Sequence, residues 1–156
     1  MFYSREEKRK IILDNYNHPS KQVDLEELKK ISSGWQVPFF TFWSLDKGCG
    51  DIIHLLISKK GDYVEKCLFS GHQSCVVTVA AANILCSYLE GKTVKLVKEM
   101  LDSCQLMVEG KEYDLNNCRD LEVFSDIFNF PHRVECINLV IRGIIDIYKK
   151  TEEGVI

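Results

Sequence analysis

The chain has 156 residues, 46% apolar and 28% charged, with only three prolines and a formal charge of −3. That length suits a single domain spanning 1–156 with a core of its own, and the composition excludes a disordered or low-complexity chain. The charge balance argues against nucleic-acid binding, because the early basic residues Arg5, Lys8, Arg9 and Lys10 are interleaved with Glu6 and Glu7, as on a solvated helix face.

SREEKRKIILDNY (4–16) predicts a helix with Ser4 as its cap, acids in its first turn and Asn17-His18-Pro19 as its stop. The start of the chain carries charges but neither an apolar stretch nor a small-residue cleavage site, so a cytoplasmic protein is expected. A short helix begins at Asp24 (DLEELKKI), and WQVPFFTFW (35–43) is aromatic and β-prone, with Pro38 confining it to an edge or a bulge. DIIHLLIS (51–58), the turn KKGD and YVEKCLF (63–69) form the clearest hairpin signal, which brings the expected strands to three, all antiparallel. Ser74 is placed to cap a helix running from Cys75 to about Glu90, closed by Gly91 and apolar almost all round. Its run CVVTVAAANILC is only about half the ~20 residues of a membrane span, so no membrane association is expected. Helical spacing returns at 93–107, a polar loop follows at 108–117, a short helix lies near 121–128, and a last helix runs from about His132 to Lys150. Strands first and helices after predict an α+β fold, a three-stranded antiparallel sheet packed against helices.

Seven cysteines without an export signal point to reduced thiols, and no Cys-x-x-Cys pair is present, which excludes a zinc ribbon or a thioredoxin-like motif. Cys67 in mid-strand and Cys86 in the apolar helix read as core residues. Cys104 and Cys118 fall in or beside polar stretches and read as unpartnered. The remaining three differ. Cys49 sits in DKGCGD (46–51), flanked by Gly48 and Gly50 and followed by Asp51, while Cys75 opens a helix and Cys136 lies in the first turns of the last one. A helix N-terminus favours a thiolate, and three thiolates with one carboxylate would close a tetrahedral metal site. Sequence separation does not report distance, so separate, ordinary cysteines are the alternative. Four such ligands carry −4, which asks for a nearby cation, and Arg133, one turn before Cys136, is the candidate; its plain alternative is a solvated charge. His72, three residues before Cys75, is a further candidate ligand; His18, His54 and His132 read as ordinary surface or core residues.

CGD at 49–51, SGHQSCVVTVAAAN, LEGKTV and PHRVEC, together with the opening IILDNYNHPSKQ, follow one another as in the IscU/NifU-N family of iron–sulfur cluster assembly proteins. The chain most resembles the SufU-like branch, on MVEGKEYD (107–114) before the third cysteine and on Glu135 where the scaffold branch places a histidine. It departs from the family pattern at Asp46-Lys47-Gly48, at Ser74 and at the Val76-Val77 run after Cys75. The resemblance implies an IscU/SufU-like fold, zinc held by Cys49, Asp51, Cys75 and Cys136, and Arg133 as the basic residue that supports them. It implies a sulfurtransferase-like carrier, with Cys49 accepting persulfide sulfur from a SufS/IscS-type cysteine desulfurase and passing it towards downstream assembly or apo-proteins. Gly48 and Gly50 would then let Cys49 detach from the metal while Asp51 stays. The alternative within the family is a scaffold building a [2Fe–2S] cluster, or holding iron, on the same four ligands. From a different class, a zinc-stapled interaction module would need no sulfur transfer.

Overall fold

The computed structural model describes residues 3–43, 50–71, 74–114 and 119–152. The element order is α1 (Arg5–Asn17), α2 (Leu25–Trp35), β1 (Phe40–Trp43), β2 (Ile52–Lys60), β3 (Tyr63–Ser70), α3 (Val76–Leu89), α4 (Val94–Val108), two 3-10 turns (Arg119–Phe124 and Ile127–Asn129) and α5 (Pro131–Glu152). Local chemistry explains most of the starts. Ser4 accepts from the Glu7 amide, Asp24 from Glu27 and Thr93 from Leu96, each satisfying a donor that the first helical turn leaves free.

The expected α+β fold is present: β1, β2 and β3 form one antiparallel sheet in that order. Gly61, at φ +62°, and Asp62 make the two-residue connection between Lys60 and Tyr63, which pair across the hairpin. Ile53, Leu55 and Ile57 of β2 share a face with Cys67 and Phe69 of β3, and all five are buried against α3 and α5. Leu56 points the other way and is buried too, with α2 packed along β2 and β3. A strand covered on both faces reads as a nearly continuous apolar run, which is what LLI is within IIHLLIS.

Two boundaries differ from the sequence expectation. α2 continues to Trp35 and ends with Gln36 in the left-handed region, so the aromatic stretch becomes a strand only at Phe40, after Pro38. The cap of α3 is Cys75 rather than Ser74, because the Ser74 hydroxyl instead donates to the Ile52 carbonyl at 2.7 Å. Cys67 and Cys86 are core residues, their sulfurs 3.1 Å apart; hydrogen bonding to Cys86, with burial, pushes the Cys67 thiol well above its ordinary value. Cys104 is also fully buried, contrary to its reading as a thiol in a polar stretch. It continues the apolar stripe of α4 that includes Val97, Leu101 and Val108. Cys118 lies outside the described residues. Among the described residues no helix is long and apolar enough to cross a membrane.

α5 crosses the inner face of the sheet at Gly143, where an added Cβ would lie 2.9 Å from Phe42 Cδ2 and 3.0 Å from Leu55 Cδ1. The glycine sets how closely the helix approaches the strands, and so where Cys136, two turns earlier, stands. Gly143→Val should therefore destabilise the protein by about 1–3 kcal/mol through overpacking, read as a lower urea midpoint with an unchanged slope.

Candidate metal centre

Three of the four ligand candidates come together. Asp51 immediately precedes β2 and is 2% exposed. Cys75 caps α3, and Cys136, 4% exposed, lies in the second turn of α5. One ligand atom from each of the three lies within 4.8 Å of the other two. The sulfurs of Cys75 and Cys136 are 3.2 Å apart. Two donors hold the Asp51 carboxylate: the Cys75 amide on Oδ1 at 3.1 Å and the Thr78 hydroxyl on Oδ2 at 2.6 Å. Each carboxylate oxygen accepts more than one partner, so these bonds orient Asp51 without using up its capacity.

The electrostatics favour one thiolate. Cys75 is lowered from 9.0 to about 6, first by the hydrogen bond with the Cys136 thiol and further by the Thr78 hydroxyl and backbone N–H, against burial and the charge of Asp51. The single Cys136 S–H has two acceptors in reach, the His132 carbonyl at 3.3 Å and, once Cys75 is ionised, the Cys75 sulfur at 3.2 Å, and it serves one at a time.

Donor chemistry and spacing suit a thiophilic divalent ion. Zinc–sulfur bonds of about 2.3 Å in a tetrahedron put two sulfurs about 3.8 Å apart, so the pair must open by only about half an ångström. Cys49, the fourth candidate, lies outside the described residues, as do His72 and Gly48. Gly50, next to Cys49, is exposed with φ +62°, a conformation that a side chain would strain.

No protein-family model matches the chain. The zinc-dependent sulfurtransferase SufU of Bacillus subtilis (strain 168) is 26% identical over 147 residues, which cover 94% of this chain and 92% of SufU. The iron–sulfur cluster assembly scaffold protein IscU of Thermotoga maritima is 25% identical over 139 residues, 89% of this chain and 90% of that protein. Among solved structures, FiSufU of Fervidobacterium islandicum AW-1, named for a scaffold role in the SUF system, superposes with a TM-score of 0.73 at 25% identity, covering 90% of this chain and 92% of its own. Along nearly its whole length the chain is thus similar to proteins of the SufU-like branch of the IscU/NifU-N family. A NifU-like N-terminal domain from Brucella abortus, at 15% identity, shares the fold, with a TM-score of 0.76 over 96% of this chain and 99% of that one.

Within this SufU-like chain, Arg133 stands beside the three ligand candidates rather than among them. It is exposed, its guanidinium lies 4.8 Å over the Phe130 ring, and it lines the same cleft as Cys75 and Cys136. Among the histidines, His54 pairs with the Thr41 hydroxyl at 2.8 Å, and His18 follows the end of α1. Sequence reading missed Thr78. It is fully buried, 3.4 Å from Cys75 Sγ and within 3.5 Å of the Cys136 carbonyl as well as bonded to Asp51, so one hydroxyl touches all three. The available signal was its spacing, a hydroxyl three residues after the helix cap and hence facing back over the first turn.

Thr78→Val removes that hydroxyl at nearly constant volume and leaves Asp51 short of a donor. It should cost about 1–3 kcal/mol in metal-free protein by chemical denaturation, with Thr78→Ser recovering most of the loss. In metal-free protein, alkylation of Cys75 by iodoacetamide should follow a midpoint near pH 6 rather than 9.0. Because the folded value lies below the unfolded one, the linked stability is complete above pH 9, declines as the pH falls towards 6 and is absent below that. Urea midpoints measured across this range, compared with Cys75→Ser, check the sign.

Proposed function

We propose that this single-domain chain is a carrier in iron–sulfur cluster assembly, accepting sulfur from a cysteine desulfurase and holding zinc through Cys49, Asp51, Cys75 and Cys136. The observation that carries the reading is the meeting of buried Asp51 and Cys136 with half-buried Cys75, one thiol already poised to ionise, in a chain similar along nearly its whole length to a zinc-dependent sulfurtransferase. Two thiolates and an oriented carboxylate suit zinc better than a hard ion such as magnesium or calcium.

When bound, zinc keeps its thiolate ligands deprotonated and stored. The chain's own residues do the rest. Thr78 and the Cys75 amide fix Asp51, so the carboxylate remains when a thiolate is withdrawn. Gly50 supplies the left-handed turn beside Cys49. A free Cys49 thiolate attacks the outer sulfur of a donor cysteine persulfide. The donor's sulfur–sulfur bond breaks as a new one forms on Cys49, and the donor cysteine leaves as a thiolate. Arg133, at the mouth of the cleft, offers positive charge to the anionic partner of that exchange. A reducing compartment such as the cytoplasm keeps the thiols available.

A second reading, a scaffold for a [2Fe–2S] cluster on the same ligands, is favoured by the nearly equal identity to an IscU scaffold protein. In that case sulfur leaves the chain within an assembled cluster delivered to an apo-protein.

Metal and sulfide analysis of freshly purified protein separates the readings. The carrier should contain zinc without sulfide, lose most of it in Asp51→Ala, Cys75→Ala and Cys136→Ala, and show desulfurase-dependent persulfide by mass spectrometry that disappears in Cys49→Ala. Iron and sulfide transferable to an apo-protein would make it a scaffold. Zinc with no persulfide would leave a metal-stapled interaction module, and full metal content in all three ligand variants would sink the site itself.

A further inference from the structure

An open cleft of about 1120 Å³ is lined by α1, the start of α5 and, among others, Cys75 and Cys136. One wall is the face of α1 that carries Arg5, Arg9 and Leu13, each one turn from the next. The other is Phe130 with Arg133 stacked on it. Leu13 is 38% exposed and Phe130 49%, so both walls present apolar surface as well as charge. Among the described residues, Arg5, Arg9 and Arg133 form no ion pair. The acid in the cleft, Asp126, is paired with Lys8 at 3.0 Å and does not neutralise them. This concentration of positive charge occurs in a chain whose formal net charge is −3.

We propose that the cleft receives an extended, acidic and apolar segment of a partner protein and leads it towards the thiols. Spacing favours an extended backbone. Arg5 and Arg9 stand about 6 Å apart along the helix, close to the roughly 6.7 Å between alternate residues of a strand, so carboxylates on alternate residues meet both guanidiniums. The intervening side chains then face Phe130, which favours apolar types there. From Arg5 to Leu13 is about 12 Å, room for about four extended residues. Charge complementarity of this kind speeds docking and selects the partner, and it weakens with salt. The inference rests on the sulfur-acceptor reading only for what such a segment would bring; binding in the cleft is a separate matter.

The test uses full-length, zinc-loaded protein and a fluorescein-labelled peptide of alternating glutamate and leucine, with a lysine–leucine peptide as the control. The acidic peptide should raise fluorescence anisotropy in a saturable, salt-sensitive manner and shift the backbone amides of Arg9, Leu13, Val77 and Arg133. The double variant Arg5→Glu/Arg9→Glu should weaken binding at least tenfold, and Leu13→Asp should weaken it as well, both with unchanged zinc content. No binding, equal binding of the lysine–leucine peptide, or shifts confined to another face would overturn the proposal. A preparation that binds the peptide but fails the zinc and persulfide assays would retain the cleft and lose the sulfur-acceptor reading.

Discussion

The buried carboxylate of Asp51 is the constraint on which the arrangement depends. At 2% exposure the carboxylate requires donors, and the start of α3 supplies two: the Cys75 amide and the Thr78 hydroxyl. The start of β2 is thereby tied to the start of α3, and Ser74 adds a second tie by donating to the Ile52 carbonyl. These contacts decide where the Cys75 sulfur points. The Cys75 sulfur, at the cap of α3, lies 3.2 Å from that of Cys136 and 3.4 Å from the Thr78 hydroxyl.

The third element is positioned differently. Cys136 sits on a helix that packs across the sheet, so its location is a consequence of core packing. Gly143 allows α5 to lie close to Phe42 and Leu55, while Ile137, Ile141 and Ile144 bury the helix. The centre therefore joins one part set by local hydrogen bonds to another set by the hydrophobic core. Loss of a hydrogen bond at Thr78 and loss of the close approach at Gly143 would disturb the same pair of sulfurs by unrelated routes.

Legibility from sequence divides along the same line. Helix starts at Ser4, Asp24 and Thr93, and the glycine-turned hairpin, are local features written within a few residues, and they were readable. Cys75 at the mouth of an apolar helix was readable for the same reason. Cys104 was misread because its polar neighbours were weighed above the helical stripe it extends. Thr78 was missed because a threonine in a run of valine and alanine looks like β-branched filling, and its partner lies 27 positions away. The basic residues of α1 were read as a solvated face. Arg5, Arg9 and Lys10 are exposed, but Lys8, read with them, is buried: its ammonium reaches Ser125 and Asp126 more than a hundred positions later, contacts that no local pattern reports.

Lys8 also shows how the cleft remains open beside a core so tightly closed. It is 4% exposed, and its charge is offset by Asp126 at 3.0 Å and the Ser125 hydroxyl at 2.8 Å. A buried, paired ammonium fixes the distance between α1 and the 3-10 turns more firmly than an apolar contact would, because separating the partners would strand a charge away from water. The polar pair ties α1 to the 3-10 turns, while Arg5, Arg9 and Leu13 line the cleft beside it. Lys8 is buried while the Asp126 side chain is 58% exposed, so the pair makes this tie without taking both charges out of water.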